Sequence, residues 1–210
     1  KYISDKENVD YVIPMDGDGE DRPEELTLLF NKSNENPEEV ITANRVKRAE
    51  GPFFRFCYLM HKCLTYIFTG QLIKFGNYTC LPKLIVVKMI EESATWSSFS
   101  GSLTKLAKKR VSIPSIRGLR YFGPSKMSFF NLLIHSFSII AVFKTAVFAR
   151  SIIFLFVYLF FTYQFLSIIT LIPVFLIFIL VFSVIFLSKR ENLNELNNSL
   201  SNINNIENFN

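Results

Sequence analysis

The 210-residue chain is poor in several things, and each shortage narrows what it can be. Cysteine is scarce: Cys57, Cys63 and Cys80 are odd in number and form no CxxC pair. No disulfide framework or paired-thiol metal site is expected, and the three read as reduced, partly buried thiols of a cytosol-facing protein. Acidic residues nearly vanish from the middle, where residues 51–150 hold Glu91 and Glu92 against 14 Lys and Arg, a net of +12. The first 50 residues are the reverse, with 7 basic and 13 acidic groups. A basic middle beside apolar segments points to phosphate-bearing ligands or an anionic membrane surface rather than nucleic acid. The chain opens on Lys1 rather than Met and carries no signal peptide. Residues 1–10 read as the end of a polar helix or loop, so the expectation is that the true N-terminus lies upstream.

Charge is missing altogether between Ser151 and Leu187. A helix of a water-soluble core is amphipathic, and this run is apolar on every side. As one helix it would extend about 55 Å, against roughly 30 Å of bilayer hydrocarbon. Two spans of about 18 residues, turning near Thr170 and Pro173, fit better. Lys144 and Arg150 before the run, and Lys189 and Arg190 after it, place both ends in the cytoplasm. One tilted span with a re-entrant piece is the alternative, because the turn has few polar groups for its backbone. Residues 125–150 read as interfacial helices rather than a third span, with Lys126, Lys144 and Arg150 reaching headgroups. His135 has no acidic or histidine neighbour in sequence and reads as a packing residue. The Asn-rich tail, 189–210, is expected to fray and is given no function.

Upstream, apolar runs and turn signals alternate. "VDYVIPM" is a short strand feeding a loop; "RPEELTLLFNKS" is a helix with Pro23 in its first turn, its apolar side made by Leu26, Leu29 and Phe30. "EEVITANRVKRAEG" is a strand and a basic loop, and residues 52–70 show helical spacing. "FGNYTCLPKLIVVKMIEES" gives an extended piece and a helix from about Pro82. "TWSSFSGSLTKLAKKR" predicts an amphipathic helix, and "VSIPSIRGLRYFGPSK" a strand and a second basic loop. The class is α/β, attached to a membrane hairpin.

The stretch that asks for an explanation is "IPMDGDGEDRPEE", with carboxylates crowded around two glycines. Asp16, Asp18 and Glu20 alternate, and an extended turn would offer them to a hard cation such as Mg²⁺ or Mn²⁺, phosphate oxygens completing the shell. Asp21 to Glu25 read as the start of the following helix. An EF-hand fails, since its glycine and glutamate positions are occupied by Asp21 and Thr27. A haloacid-dehalogenase-type phosphatase shares the Asp-x-Asp but normally continues with a hydroxyl or small apolar residue where this chain has Gly19-Glu20. For the motif alone, a solvated turn that caps a helix is the simpler account. The basic loop shifts the balance: Arg117, Arg120, Ser125 and Lys126, with Gly118 and Gly123, suit phosphate. Taken alone, that loop reads equally as a headgroup-binding cluster.

Together these segments resemble membrane-bound glycosyltransferases of family 2, of the dolichol- or undecaprenyl-phosphate sugar transferase type. "VIPMDGDGEDRPEEL" looks like that family's strand, Asp-x-Asp and Pro-Glu; "RVKRAEGPFFRF", "FGNYTCLP" and "RGLRYFGPSKMSF" look like its later motifs. The resemblance implies residues 1–124 as the C-terminal part of a GT-A domain, 125–150 as juxtamembrane helices and 151–188 as the transmembrane hairpin. It further implies Asp16 and Asp18 at metal and donor diphosphate, Glu20 on the metal side, and phosphate contacts from Arg117, Arg120, Ser125 and Lys126. Asn77 falls on the acceptor side, where many relatives have Asp. The implied activity is inverting transfer of a sugar from a nucleotide-diphosphate donor to a lipid phosphate, in cell-envelope glycan synthesis. Mg²⁺ or Mn²⁺ is the implied cofactor; donor, lipid acceptor and membrane are the partners, nucleic acid is not, and a homo-oligomer is compatible with it. The family's nucleotide-reading first half is not in this chain. Glu91 and Glu92 are weak candidates for a general base, needed if the acceptor is a hydroxyl; solvated residues at a helix end are the simpler account of them. A non-catalytic membrane protein with a lipid-binding loop is the other class left open.

Overall fold

The computed structural model describes residues 9–47, 52–121, 123 and 128–202. Ser125 and Lys126 lie outside the described residues. The chain divides into two compact units, one made of 1–49, 74–126 and 191–210, the other of 50–73 and 127–190.

The first unit is a four-stranded mixed sheet with helices on both faces. Its elements are β1 (Tyr11–Val12), a 3₁₀ turn (Pro23–Glu25), α1 (Leu26–Glu35), β2 (Val40–Lys47) and β3 (Phe75–Pro82). They are followed by α3 (Lys83–Glu91), α4 (Ala94–Ser97), α5 (Phe99–Leu106) and β4 (Arg110–Ile116), with α2 (Pro52–Thr69) falling in the second unit. The strand order is β1-β3-β2-β4. β3 is antiparallel to β1 and β2, while β2 and β4 pair in parallel from Val40↔Arg110 to Lys47↔Ile116.

Side-chain alternation along β2 builds both cores, because successive strand residues face opposite ways. Ile41 and Ala43 join Leu29 of α1, Tyr78, Cys80 and Ile113 on one side. Val40 faces the other, with Leu81, Ile85 and Met89 of α3 and Leu103 of α5. The expected helix over "TWSSFSGSLTKLAKKR" is two pieces. Ser98 is extended at φ −156° and its hydroxyl accepts from Gly101 N–H, so it starts α5 as an N-cap instead of continuing α4. Phe30, expected on the apolar side of α1, is half exposed and meets Tyr11 edge-on at 6.2 Å. The tail forms α9 (Leu193–Asn198), which Asn192 caps by accepting from Asn194 and Glu195 N–H, and it belongs to this unit.

The second unit consists of α2 with α6 (Phe129–Ala141), α7 (Lys144–Thr162) and α8 (Ile168–Ser188). Two segments, Lys144–Phe165 and Ile168–Ser188, are long and apolar enough to cross a membrane. Only 11% and 17% of their apolar windows are buried, unlike a soluble core helix. The buried part of α8 is one stripe, Ile177, Leu180, Val184 and Leu187, packed with Phe68, Ile140, Ala141 and Val147. Phe175, Phe178, Phe182 and Phe186 face outward at 60–72% exposure.

The turn lies earlier than its expected place near Thr170 and Pro173. It spans 163–167, and Pro173 sits inside α8 as its sixth residue. The reason is local chemistry. Ser167 Oγ accepts from Thr170 N–H at 3.3 Å while Thr170 Oγ1 accepts from Ser167 N–H at 2.7 Å, a reciprocal capping box. Thr170 Oγ1 also donates to Phe165 O, and Tyr158 Oη donates to Thr170 O. These few polar groups satisfy a turn whose apolar composition promised little. Ser167→Ala is expected to cost about 1 kcal/mol of helix stability, read as a lower SDS midpoint for unfolding of the detergent-solubilised chain.

Candidate functional site at the carboxyl edge of the sheet

β1, β2 and β4 run one way and β3 the other. The carboxyl ends of three strands and the amino end of β3 therefore share one edge of the sheet, the edge where open α/β sheets place ligands. β1 leads through Ile13-Pro14-Met15 into the acidic turn, and β4 leads into Arg117–Tyr121. β2 ends beside Arg45, and Asn77 stands near the start of β3. Residues distant in sequence meet here because strand direction puts them there.

The two loops are joined first by backbone. Gly118 N–H donates to Glu20 O and Tyr121 N–H donates to Asp18 O, each at 2.9 Å. Their approach is close enough to require glycine on both sides. Gly19 has φ +90°, in the left-handed region that glycine tolerates. A Cβ at Gly118 would lie 2.2 Å from Gly19 O.

Side chains then balance the charge. Glu20 bridges two guanidiniums, accepting from Arg120 Nε at 2.6 Å and from Arg117 Nη2. Asp18 Oδ2 lies 3.2 Å from Arg120 Nη2, and its other oxygen accepts from Glu20 N–H at 3.0 Å. Asp21 is buried; it accepts from Asp16 N–H at 3.1 Å and faces Arg45 at 3.6 Å. At these separations an ion pair in a partly buried setting is worth about 4 kcal/mol of Coulomb energy before desolvation. Three carboxylates, from Asp18, Glu20 and Asp21, thus meet three guanidiniums. Asp16 is exposed, and among the described residues no hydrogen bond or ion pair to its carboxylate is found.

The segment after the turn does more than begin a helix. Glu25 is buried and holds the end of β4, accepting from Ser115 Oγ at 2.6 Å and from Ile116 N–H at 2.9 Å. Tyr78 Oη donates to Arg22 O at 2.7 Å. Burial, reinforced by Glu25, Asp21 and Glu24, holds its phenol at about 12, so it stays a donor. Burial also pushes the Asp21 carboxyl up, with the Asp16 amide and Arg45 opposing. Arg117 is pushed down by burial and by Arg120, while Asp18 and Asp16 favour its charge.

Asp16, Asp18, Glu20, Arg117, Arg120 and exposed Asn77 therefore share the edge, while Ser125 and Lys126 fall outside the described residues. Glu92 is engaged elsewhere, paired with Lys105 at 2.8 Å and accepting from Ala94 N–H, and Glu91 is exposed at the end of α3. Arg45 and Asp21 are the members that sequence reasoning missed; the signal available was that β2 is parallel to β4, which no local pattern reveals.

Among the described residues no group of three or more His, Cys, Asp and Glu converges into a metal cage. Mg²⁺, however, is commonly held by one or two carboxylates with phosphates and waters. Asp16 and one face of Asp18 fit that demand; Glu20 has both oxygens on arginines. Compared with known proteins, the chain matches no family model, no curated protein and no solved structure.

Two outcomes follow for this edge. Gly118→Ala must push the loops apart, costing about 2 kcal/mol, with faster amide exchange at Gly118 and Tyr121 as the local readout. Asp21 binds its proton more tightly in the folded state than in the unfolded chain. It therefore contributes stability that is present at low pH and lost as pH rises through its folded value. Asp21→Asn keeps an acceptor for the Asp16 amide and should remove that part of the slope in urea midpoints measured across the range above the ordinary aspartate value of 3.8.

Proposed function

We propose that the chain is part of a membrane-bound, metal-dependent inverting glycosyltransferase that moves a sugar from a nucleotide-diphosphate donor to a polyprenyl-phosphate acceptor. The observation that carries this reading is the convergence of the Asp16–Asp18 turn with Arg117 and Arg120 at one sheet edge. Carboxylates able to hold a divalent ion and guanidiniums able to fork onto phosphate are the two requirements for gripping a nucleotide diphosphate. The family resemblance stands on its motifs, and the two long apolar helices support placement at a membrane, with both ends on the cytoplasmic side.

In this scheme the anomeric carbon–diphosphate oxygen bond breaks as an oxygen of the lipid phosphate forms the new bond from the opposite face. Asp16 and Asp18, on a turn fixed by the backbone bonds to Asp18 and Glu20, would hold a Mg²⁺ or Mn²⁺ ion, which would supply Lewis acidity toward the departing diphosphate. Arg117 and Arg120 offer their charge to phosphate oxygens when the donor competes with Glu20. The acceptor phosphate is anionic at neutral pH, so no protein base is required, in keeping with the engagement of Glu92 by Lys105.

One observation favours a second reading. Both Glu20 oxygens are already on arginines, as a structural lock in a non-catalytic membrane protein would place them. Transfer of radiolabelled sugar from UDP- and GDP-donors into membrane lipid by the full-length protein separates the two. Asp18→Asn is expected to lower transfer by roughly a hundredfold while the chain remains folded. Undiminished transfer overturns the metal assignment, and no transfer from any donor favours the structural reading.

A further inference from the structure

Helix α2 carries an apolar face that its own unit leaves uncovered. Phe56, Leu59, Met60, Tyr66 and Ile67 are 44–61% exposed, and Cys63 between them is exposed too. At 100° per residue these six positions fall in one stripe along the helix. The side away from the stripe is covered by the protein, with Phe68 buried and Leu64 packed beside it. Thr65 and Thr69 are buried and return their hydroxyls to the carbonyls of His61 and Thr65. Arg55 and Lys62 fall along one border of the stripe, where long basic side chains can reach headgroups.

The far end of the helix is fixed in place. Arg150 of α7 donates to the carbonyls of Tyr66 and Ile67, at 3.4 and 2.9 Å, satisfying the open end of α2. Gly70, at φ +75°, turns the chain there, and a Cβ on it would lie 2.6 Å from the Arg150 guanidinium. Phe68 shares a core with Val147, in the first turn of α7, and Leu187, next to the last residue of α8. Both positions adjoin the basic ends of the apolar helices, at Lys144 and at Lys189 and Arg190. One turn beyond Arg150 on the same side of α7, Ile153 and Phe154 are exposed, so apolar surface lies next to the contact with α2.

We infer that α2 is a third membrane-contacting element, lying in the plane of the bilayer with its Phe56–Ile67 stripe sunk at the boundary between headgroups and acyl chains. The occupant of the stripe is anionic lipid. A stripe of this size left to water would be an aggregation surface, and the anchoring at Arg150 puts it at the depth where the long helices end. The inference rests on α7 and α8 crossing the membrane, and the test reads that assumption separately.

The full chain is reconstituted into phosphatidylcholine–phosphatidylglycerol vesicles with an environment-sensitive dye on Cys63, Cys57 being replaced by Ala. Cys80 is buried, with its thiol pushed up by burial, and stays in place. Parallel samples carry Leu59→Cys or Phe178→Cys with Cys63→Ala. Dye at positions 63 and 59 should lose fluorescence to lipids brominated near the headgroup more than to lipids brominated near the chain ends, and be shielded from aqueous iodide. Dye at position 178, mid-way along α8, should show the reverse lipid preference. Full iodide quenching at 59 and 63 overturns the inference. So does shielding from iodide and both lipids, the mark of a second copy or another protein on the stripe. A position-178 dye that no lipid quencher reaches overturns the crossing of α8 instead.

Discussion

The carboxylate of Glu20 is the point on which the sheet edge depends. Without it, Arg117 and Arg120 would stand side by side with their charges less well offset, and burial already works against Arg117. With it, one side chain draws both guanidiniums onto the acidic turn, and the backbone bonds from Gly118 and Tyr121 follow. The crowding of carboxylates after β1 is thus relieved first by the protein's own arginines. Any phosphate or divalent ion entering this edge does so in competition with that arrangement, so the ion network sets how strongly a ligand must bind.

Glu25 plays the companion role from the other side. Its buried carboxylate accepts from Ser115 and Ile116 and so fixes where β4 ends and the basic loop begins. A helix-starting glutamate is ordinarily solvated; this one is held because the 3₁₀ turn at Pro23–Glu25 directs it into the sheet. The placement of Arg117 therefore depends on a residue nearly a hundred positions earlier.

The second unit obeys the opposite solvent logic. Several of its threonine hydroxyls bond back to their own helices, and most phenylalanines of the long helices are outward. Hydroxyl groups close the turn between its long helices: the Ser167–Thr170 pair and Tyr158 satisfy backbone groups there.

Much of this was legible in the chain. The charge-free run from Ser151 to Leu187, the alternation of "VITANRVK", and the helix starting after Pro82 follow from periodicity and composition, which act locally. Proline suggests a turn at Pro173, but the Ser167–Thr170 capping box, a stronger local signal, starts the second helix earlier. The helix over 52–69 is legible, but not which of its faces the protein covers, since periodicity reports that a stripe exists and not what it meets. Asp16, Asp18, Glu20, Arg117 and Arg120 were named from the sequence as chemistry-bearing residues. That Glu20 bridges both arginines, that Arg45 and Asp21 join them, and that Glu25 is buried were decided only by the tertiary structure. The physical reason is strand direction: β1, β2 and β4 are parallel, and that relation arises from pairing between segments tens of residues apart, which no local stretch of sequence contains.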